Sequence, residues 1–426
     1  MVYNSTLWRI LPQQRCIMHN FQATTTRDKQ TIHKTSYAWV ILGVVYFASM
    51  AAPLNQAKVP PIMPYLIEAF QMNLGNAGML MSVFAITGVF LALPAGFILQ
   101  RIGLKTTGLI ALSSLIFGSI LGAVAISPNF MLLSRVIEGI GMGFMTVLAP
   151  AAIAMWFPSK NLGLPMSIWA TWVPFGTIVM LILAPFVATR SGWQMVWWIS
   201  AIFSLFMFAL YALLIRTPAG NLTNSNTHQN IGEISEISKF WKALANKDIW
   251  LMGCIFACFT FTGSGWSSFY PTFLASERGF SLANASLVYS LSTVMSIFSC
   301  LIAGIVSDRI GSRRLIFTLP AIPLAVLPAL LFLTHGGWIP LLLVIYGLLV
   351  GAIPTAIFSA VPEVMGNPQE AGVGLAVVTL GQNVGFLLGP AFFGWMASHL
   401  NWMTASLGSL PVMLLAFLIG WKVNIR

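Results

Sequence analysis

Two stretches decide how this chain is read: GFILQRIGLK at residues 96–105 and GIVSDRIGSRR at residues 304–314. Each follows a long apolar run. Each carries glycine, then glutamine or aspartate four residues on, then arginine, glycine and a basic residue. Their first glycines, Gly96 and Gly304, lie 208 positions apart (304 minus 96). Trp193 and Trp402 repeat at 209, Pro150 and Pro354 at 204, and Pro185 and Pro390 at 205. The chain of 426 residues is therefore written twice, one copy after the other.

Working outward, each copy holds six apolar runs. In the first they are 37–66, 74–99, 106–126, 130–157, 162–188 and 193–215. In the second they are 248–274, 282–306, 314–334, 337–362, 371–397 and 402–423. About 20 apolar residues suffice for a helix to cross a bilayer. Hydrophobic residues make up 58% and charged residues 7%, against about 25% charged in a soluble domain. Mean hydropathy is +0.85. This excludes a soluble enzyme, a disordered chain and a secreted disulfide scaffold. Continuous apolar runs, rather than short alternating ones, exclude a membrane β-barrel. The fold class is all-α integral membrane, with twelve transmembrane helices in two parallel six-helix repeats.

The expected organisation is an N-terminal cytoplasmic tail (1–36), a first bundle (37–215), a polar cytoplasmic linker (216–247) and a second bundle (248–426). The tail is polar and mixed, without the basic, apolar and small-residue order of a cleaved signal. Met18 offers a second start, which puts the first 17 residues in question. All but four of the 21 basic residues fall on one side when the N-terminus is placed inside. Arg190 and Arg278 lie outside, and Lys58 and Arg135 lie within spans. This bias sets both termini in the cytoplasm. It also accounts for the net charge of +11 without a nucleic-acid partner. Cys16, Cys254, Cys258 and Cys300 have no metal-ligand spacing, and no phosphate loop of the ATPase type is present. No metal, cofactor or catalytic constellation is expected, so the chain is read as no enzyme.

With the doubled loop motif, Arg135-x-x-x-Gly139-x-Gly141-x-Gly143 in the fourth run, the central linker and the paired tryptophans, the sequence resembles the major facilitator superfamily over about 37–423. The resemblance implies the fold of that superfamily and alternating access, in which two halves rock about a central solute site. It also implies a gating role for Gly96, Gln100, Arg101, Gly103 and Lys105, and for Gly304, Asp308, Arg309, Gly311, Arg313 and Arg314. There the glycines would allow close helix packing, and the acidic position would latch onto arginine or a helix end. Gln100 departs from the usual acidic residue, so the first latch lacks a charge. Arg135 through Gly141, with Trp156-Phe157-Pro158, is loosely similar to branches that carry organic anions, cyanate or nitrate.

Charge within a bilayer costs about 2.5 kcal/mol or more per residue, which makes Lys58, Arg135 and Glu138 functional candidates. Lys58 reads either as a cation facing a central cavity or as a lysine snorkelling at the outer rim. Asn55 and Gln56 lie a turn deeper as candidate solute contacts. Arg135 and Glu138, three apart on a helix, are close enough to pair. They read either as an anion holder beside a proton carrier or as a structural ion pair. Gln382 and Asn383 are polar candidates in the eleventh run. Trp172, Trp266 and Tyr270 are aromatic candidates for the cavity wall. Two embedded cations against one carboxylate favour an anionic small-molecule substrate, with the proton as a coupling ion. The alternative is a multidrug exporter of lipophilic compounds. A bacterial inner membrane and a functional monomer complete the expectation.

Overall fold

The computed structural model describes residues 37–157, 163–215, 244–366 and 368–424. The N-terminal tail, residues 216–243 of the linker, and the side chains of Gln100 and Asp308 lie outside the described residues. No strand occurs among the described residues.

Among the described residues twelve helices are long and apolar enough to span a membrane. The first half has α1 (Tyr37–Phe70), α2 (Leu74–Leu91), α3 (Leu104–Ala123), α4 (Pro128–Trp156), α5 (Leu164–Ser191) and α6 (Trp193–Leu214). The second has α7 (Lys247–Glu277), α8 (Leu282–Ser307), α9 (Arg313–Leu333), α10 (Trp338–Met365), α11 (Ala371–His399) and α12 (Trp402–Gly420). Their starts are written in the sequence. Asn73, Ser127, Ser281 and Asn401 each accept a backbone N–H three residues on, satisfying one orphan donor of the first turn.

Prolines break several of the runs, two of them close to the buried charges and the first loop motif. In α1 the helical run ends at Ala57, a 3-10 turn covers Pro60–Ile62, and helix resumes at Met63. After α2 a separate short helix, Pro94–Ile102, carries the first loop motif, so the second apolar run is two helices rather than one. Gly103 and Gly311 turn the chain at φ of 82° and 67°, the left-handed region that glycine enters without a Cβ penalty.

Without a hydrophobic drive between helices in lipid, small residues bring backbones together. On α11 a Cβ at Gly381, Gly385 or Gly389 would lie 2.1 Å from the Gly253 carbonyl oxygen, 2.0 Å from Thr260 Oγ1 and 2.3 Å from the Phe261 carbonyl oxygen. This face of α11 is thereby pressed onto α7. Its other face meets α2 of the first half. A Cβ at Gly78 would stand 2.4 Å from the Pro390 carbonyl oxygen, and one at Gly394 2.4 Å from that of Leu74. Among the described residues two hydrogen bonds join the halves, both on this seam. Gly75 N–H donates to Ser398 Oγ (2.9 Å) and Ala391 N–H to Ser82 Oγ (3.0 Å).

The loop motifs at the other end behave differently from expectation. A Cβ at Gly96 or Gly304 would meet nothing within 4 Å, so neither glycine serves close packing here. Arg101, Lys105 and Arg309 are exposed. Arg313 pairs with Glu363 of its own half at 2.7 Å, and Arg314 donates to the Trp421 carbonyl. The molecule is thus drawn shut along α2 and α11, while Arg313 and Arg314 of the second motif are engaged inside their own half.

Candidate functional site

Lys58, Arg135 and Glu138 are the fully buried charged residues among those described. They converge. Glu138 Oε1 accepts from Lys58 Nζ at 2.5 Å and Oε2 from Arg135 Nη1 at 2.5 Å. One carboxylate therefore sits between two cations, and the set carries one excess positive charge when all three are ionised.

Helical spacing builds the cluster. Asn55 and Lys58 are three apart on α1, as Arg135 and Glu138 are on α4, so each pair shares a face. Lys58 Nζ also donates to Asn55 Oδ1 (2.7 Å) and Ser119 Oγ (3.2 Å), which uses its three protons. The single hydroxyl proton of Ser119 has two acceptors, Asn55 Oδ1 at 2.7 Å and Glu138 Oε1 at 2.8 Å. Asn55 Nδ2 donates to the Ala51 carbonyl (2.8 Å) and to Ser204 Oγ on α6 (3.4 Å). Lys58 stands over the Trp197 ring at 4.6 Å and Arg135 over the Phe84 ring at 4.5 Å, each a cation on a π face.

Room for the cluster comes from α3. A Cβ at Gly118 would lie 2.5 Å from Glu138 Cγ, and one at Gly122 2.2 Å from Trp197 Nε1. The sequence reading missed Gly118, Ser119, Gly122, Trp197 and Ser204. The run of small residues on α3, Gly118, Ser119 and Gly122, could have drawn attention to that helix, while Trp197 and Ser204 on α6 carry no such signal.

Lys58 is neither at an outer rim nor facing the other half. It points into its own bundle, toward α3, α4 and α6. The rim reading gives way, because a snorkelling head group would be exposed and Lys58 is fully buried. Arg135 and Glu138 do form the ion pair that their spacing allows.

The aromatic candidates make their ring and hydrogen-bond contacts inside their own halves. Trp172 stacks on Trp169 at 5.4 Å. Trp266 donates from Nε1 to Tyr346 Oη (3.3 Å) and Tyr270 from Oη to the Leu331 carbonyl (3.3 Å). Both are fully buried. Gln56 is half-buried. Gln382 is half-buried, and its backbone carbonyl accepts from Thr260 Oγ1 at 3.0 Å. Asn383 lies on the seam between halves, where a Cβ on Gly88 of α2 would be 2.4 Å from its Oδ1. Among the described residues no group of three or more His, Cys, Asp or Glu gathers as a metal site.

The sequence profile described as Major Facilitator Superfamily matches residues 45–374. A probable sulfoacetate transporter of Cupriavidus necator is 23% identical over 290 residues, covering 64% of this chain and 66% of its own length. A probable nitrate transporter of Staphylococcus haemolyticus is 22% identical, covering 61% and 64%. The chain thus spans just under two thirds of the length of these two relatives. The cis,cis-muconate transport protein of Acinetobacter baylyi is 24% identical over 81% of this chain and 88% of its own. In structure, a bacterial homologue of the human lysosomal transporter Spinster, inward-facing and unoccupied, is similar with a TM-score of 0.74 at 17% identity. That likeness covers 91% of this chain and 95% of the other.

Proposed function

The chain belongs to the Major Facilitator Superfamily, and on that premise we propose that this multi-pass membrane transporter carries a small anion by alternating access, coupled to a proton. The observation that carries the reading is the excess positive charge of Lys58, Glu138 and Arg135, buried in the first half. An uncompensated charge in a medium of low dielectric favours an anion brought near it. Relatives named for sulfoacetate, nitrate and muconate transport are in keeping with this.

The same geometry supplies a coupling scheme. Glu138 and a substrate anion are alternative counter-charges for Lys58. A proton on Glu138 weakens its hold on Lys58 and raises the charge of the set by one. A monovalent anion lowers it by one again. Symport of one proton with one monovalent anion is therefore electroneutral. In this proposal Asn383, on the seam, is a second-half contact for the solute. The chain works as a monomer in a bacterial inner membrane, with both termini cytoplasmic and residues 216–247 linking the halves.

The test is uptake into proteoliposomes of labelled sulfoacetate, nitrate and muconate, with and without an inward proton gradient. Gradient-stimulated uptake of one of them, lost in Lys58→Met and freed from its pH dependence in Glu138→Gln, is the expected result. Uptake of lipophilic cations with no response to anions would instead make the chain a drug exporter.

A further inference from the structure

We infer that Arg135 is a positioning residue: its guanidinium caps two carbonyls at the break in α1, one of them left without its helical donor by a proline, and so holds the broken turn of α1 in place. In an α-helix each carbonyl accepts from the N–H four residues later. For Gln56 and Ala57 those residues are Pro60 and Pro61, which have no N–H. The helical run stops at Ala57. Arg135 reaches across to this point. Nη2 donates to the Gln56 carbonyl, which Pro60 leaves without its helical donor, at 3.4 Å, and Nη1 to the neighbouring Asn55 carbonyl, whose helical donor would be Val59 just past the end of the run, at 2.8 Å. On its other edge Nε donates to the Leu80 carbonyl of α2 at 3.0 Å. Glu138, one turn along α4, fixes the guanidinium through Nη1.

All three kinds of guanidinium nitrogen are therefore engaged within the first half. A planar fork with several fixed donors can bridge carbonyls from two helices; a single ammonium group cannot do so in the same way. Lys58 differs, because its partners are side chains only.

The segments that Arg135 ties together are those that meet the other half. The turn Pro60–Ile62 packs against residues Tyr270–Glu277 of α7 and against α8. Two residues past Leu80, Ser82 receives the Ala391 N–H across the seam. Closure of the molecule at this end then depends on Arg135 through backbone geometry rather than through its charge. This deepens the proposed function by separating the two cations: Lys58 answers to the anion and Arg135 holds the frame.

The test needs no substrate, so it can fail independently of the anion reading. In protein with its native cysteines replaced, Ser82→Cys places a thiol at a fully buried point of the seam. The rate of its modification by a maleimide reports opening. Arg135→Lys keeps the charge and loses the fork; it is expected to speed labelling about tenfold, the effect of about one net hydrogen bond. Arg135→Gln keeps two N–H donors without the charge, and should label more slowly than the lysine variant. Adding Pro60→Ala to Arg135→Lys returns an N–H to the Gln56 carbonyl and should bring the rate back toward the parent. If Arg135→Lys is too unstable to purify, recovery of folded protein on adding Pro60→Ala is the same test. Parental labelling in Arg135→Lys, slower labelling in Lys than in Gln, or no rescue by Pro60→Ala would overturn the assignment.

Discussion

The two halves place different chemistry at matching points. Lys58 and Trp266 are 208 residues apart, the spacing of the loop motifs. Around Lys58 gather an amide, a hydroxyl, a carboxylate and a guanidinium. Around Trp266 gather the rings of Tyr270, Tyr289 and Tyr346, at 5.2, 5.8 and 4.8 Å and close to edge-on. A repeat thus preserves the backbone and not the means of filling it. Edge-to-face rings tolerate small shifts. A carboxylate shared by two cations does not, since removing it leaves charge in a dry interior. Among the described residues, all fully buried charge belongs to the first half.

The largest expected effect separates these two cores. Glu138→Ala leaves Lys58 and Arg135 without a counter-charge and should cost about 3–5 kcal/mol, seen as a steep loss of folded protein in detergent. Trp266→Phe removes one hydrogen bond, to Tyr346, and should cost about 1 kcal/mol. Equal losses in apparent melting temperature would break the contrast. Next comes Gly78→Ala, whose Cβ would stand 2.4 Å from the Pro390 carbonyl. Crowding of this kind costs about 1–3 kcal/mol, and the seam between α2 and α11 should loosen, read as faster hydrogen exchange along both helices.

Lys58→Met sharpens the comparison further. It leaves a neutral pair of Arg135 and Glu138, so the first core comes to resemble the second in net charge. Its stability should fall far less than that of Glu138→Ala, while anion uptake is lost; retained uptake would detach the excess charge from function. The smallest effect is expected at the loop motifs. Gly96→Ala and Gly304→Ala meet no neighbour within 4 Å and should leave stability within about 0.5 kcal/mol of the parent. A large drop in melting temperature would show that these glycines pack closely after all.

Most of the fold is legible because a bilayer imposes a length and a hydropathy on every span. The run 282–306 becomes helix Leu282–Ser307, and 371–397 becomes Ala371–His399. Where prolines interrupt an apolar run, hydropathy is blind: it merges α2 with the helix Pro94–Ile102. The site was legible as a set of costly residues and not as an arrangement. Lys58, Arg135 and Glu138 stood out because charge is rare in spans. Which way Lys58 points was hidden, since its partners Ser119 and Trp197 are 61 and 139 residues away and carry no mark of their own in the sequence. Trp172, Trp266 and Tyr270 could not be assigned a contact from the sequence for a related reason, because an aromatic that seals a core and one that lines a path have the same composition.

The distance between Lys58 and Glu138 along the chain also bears on how the protein is made. They are 80 residues apart. At about 5–20 residues per second on the ribosome, the lysine emerges roughly 4–16 s before its carboxylate. Throughout that interval α1 is an apolar segment with an unneutralised ammonium group. Until α4 arrives, α1 in lipid bears the cost of that charge, about 2.5 kcal/mol, and the pairing with Glu138 removes part of it only once the fourth span is in place.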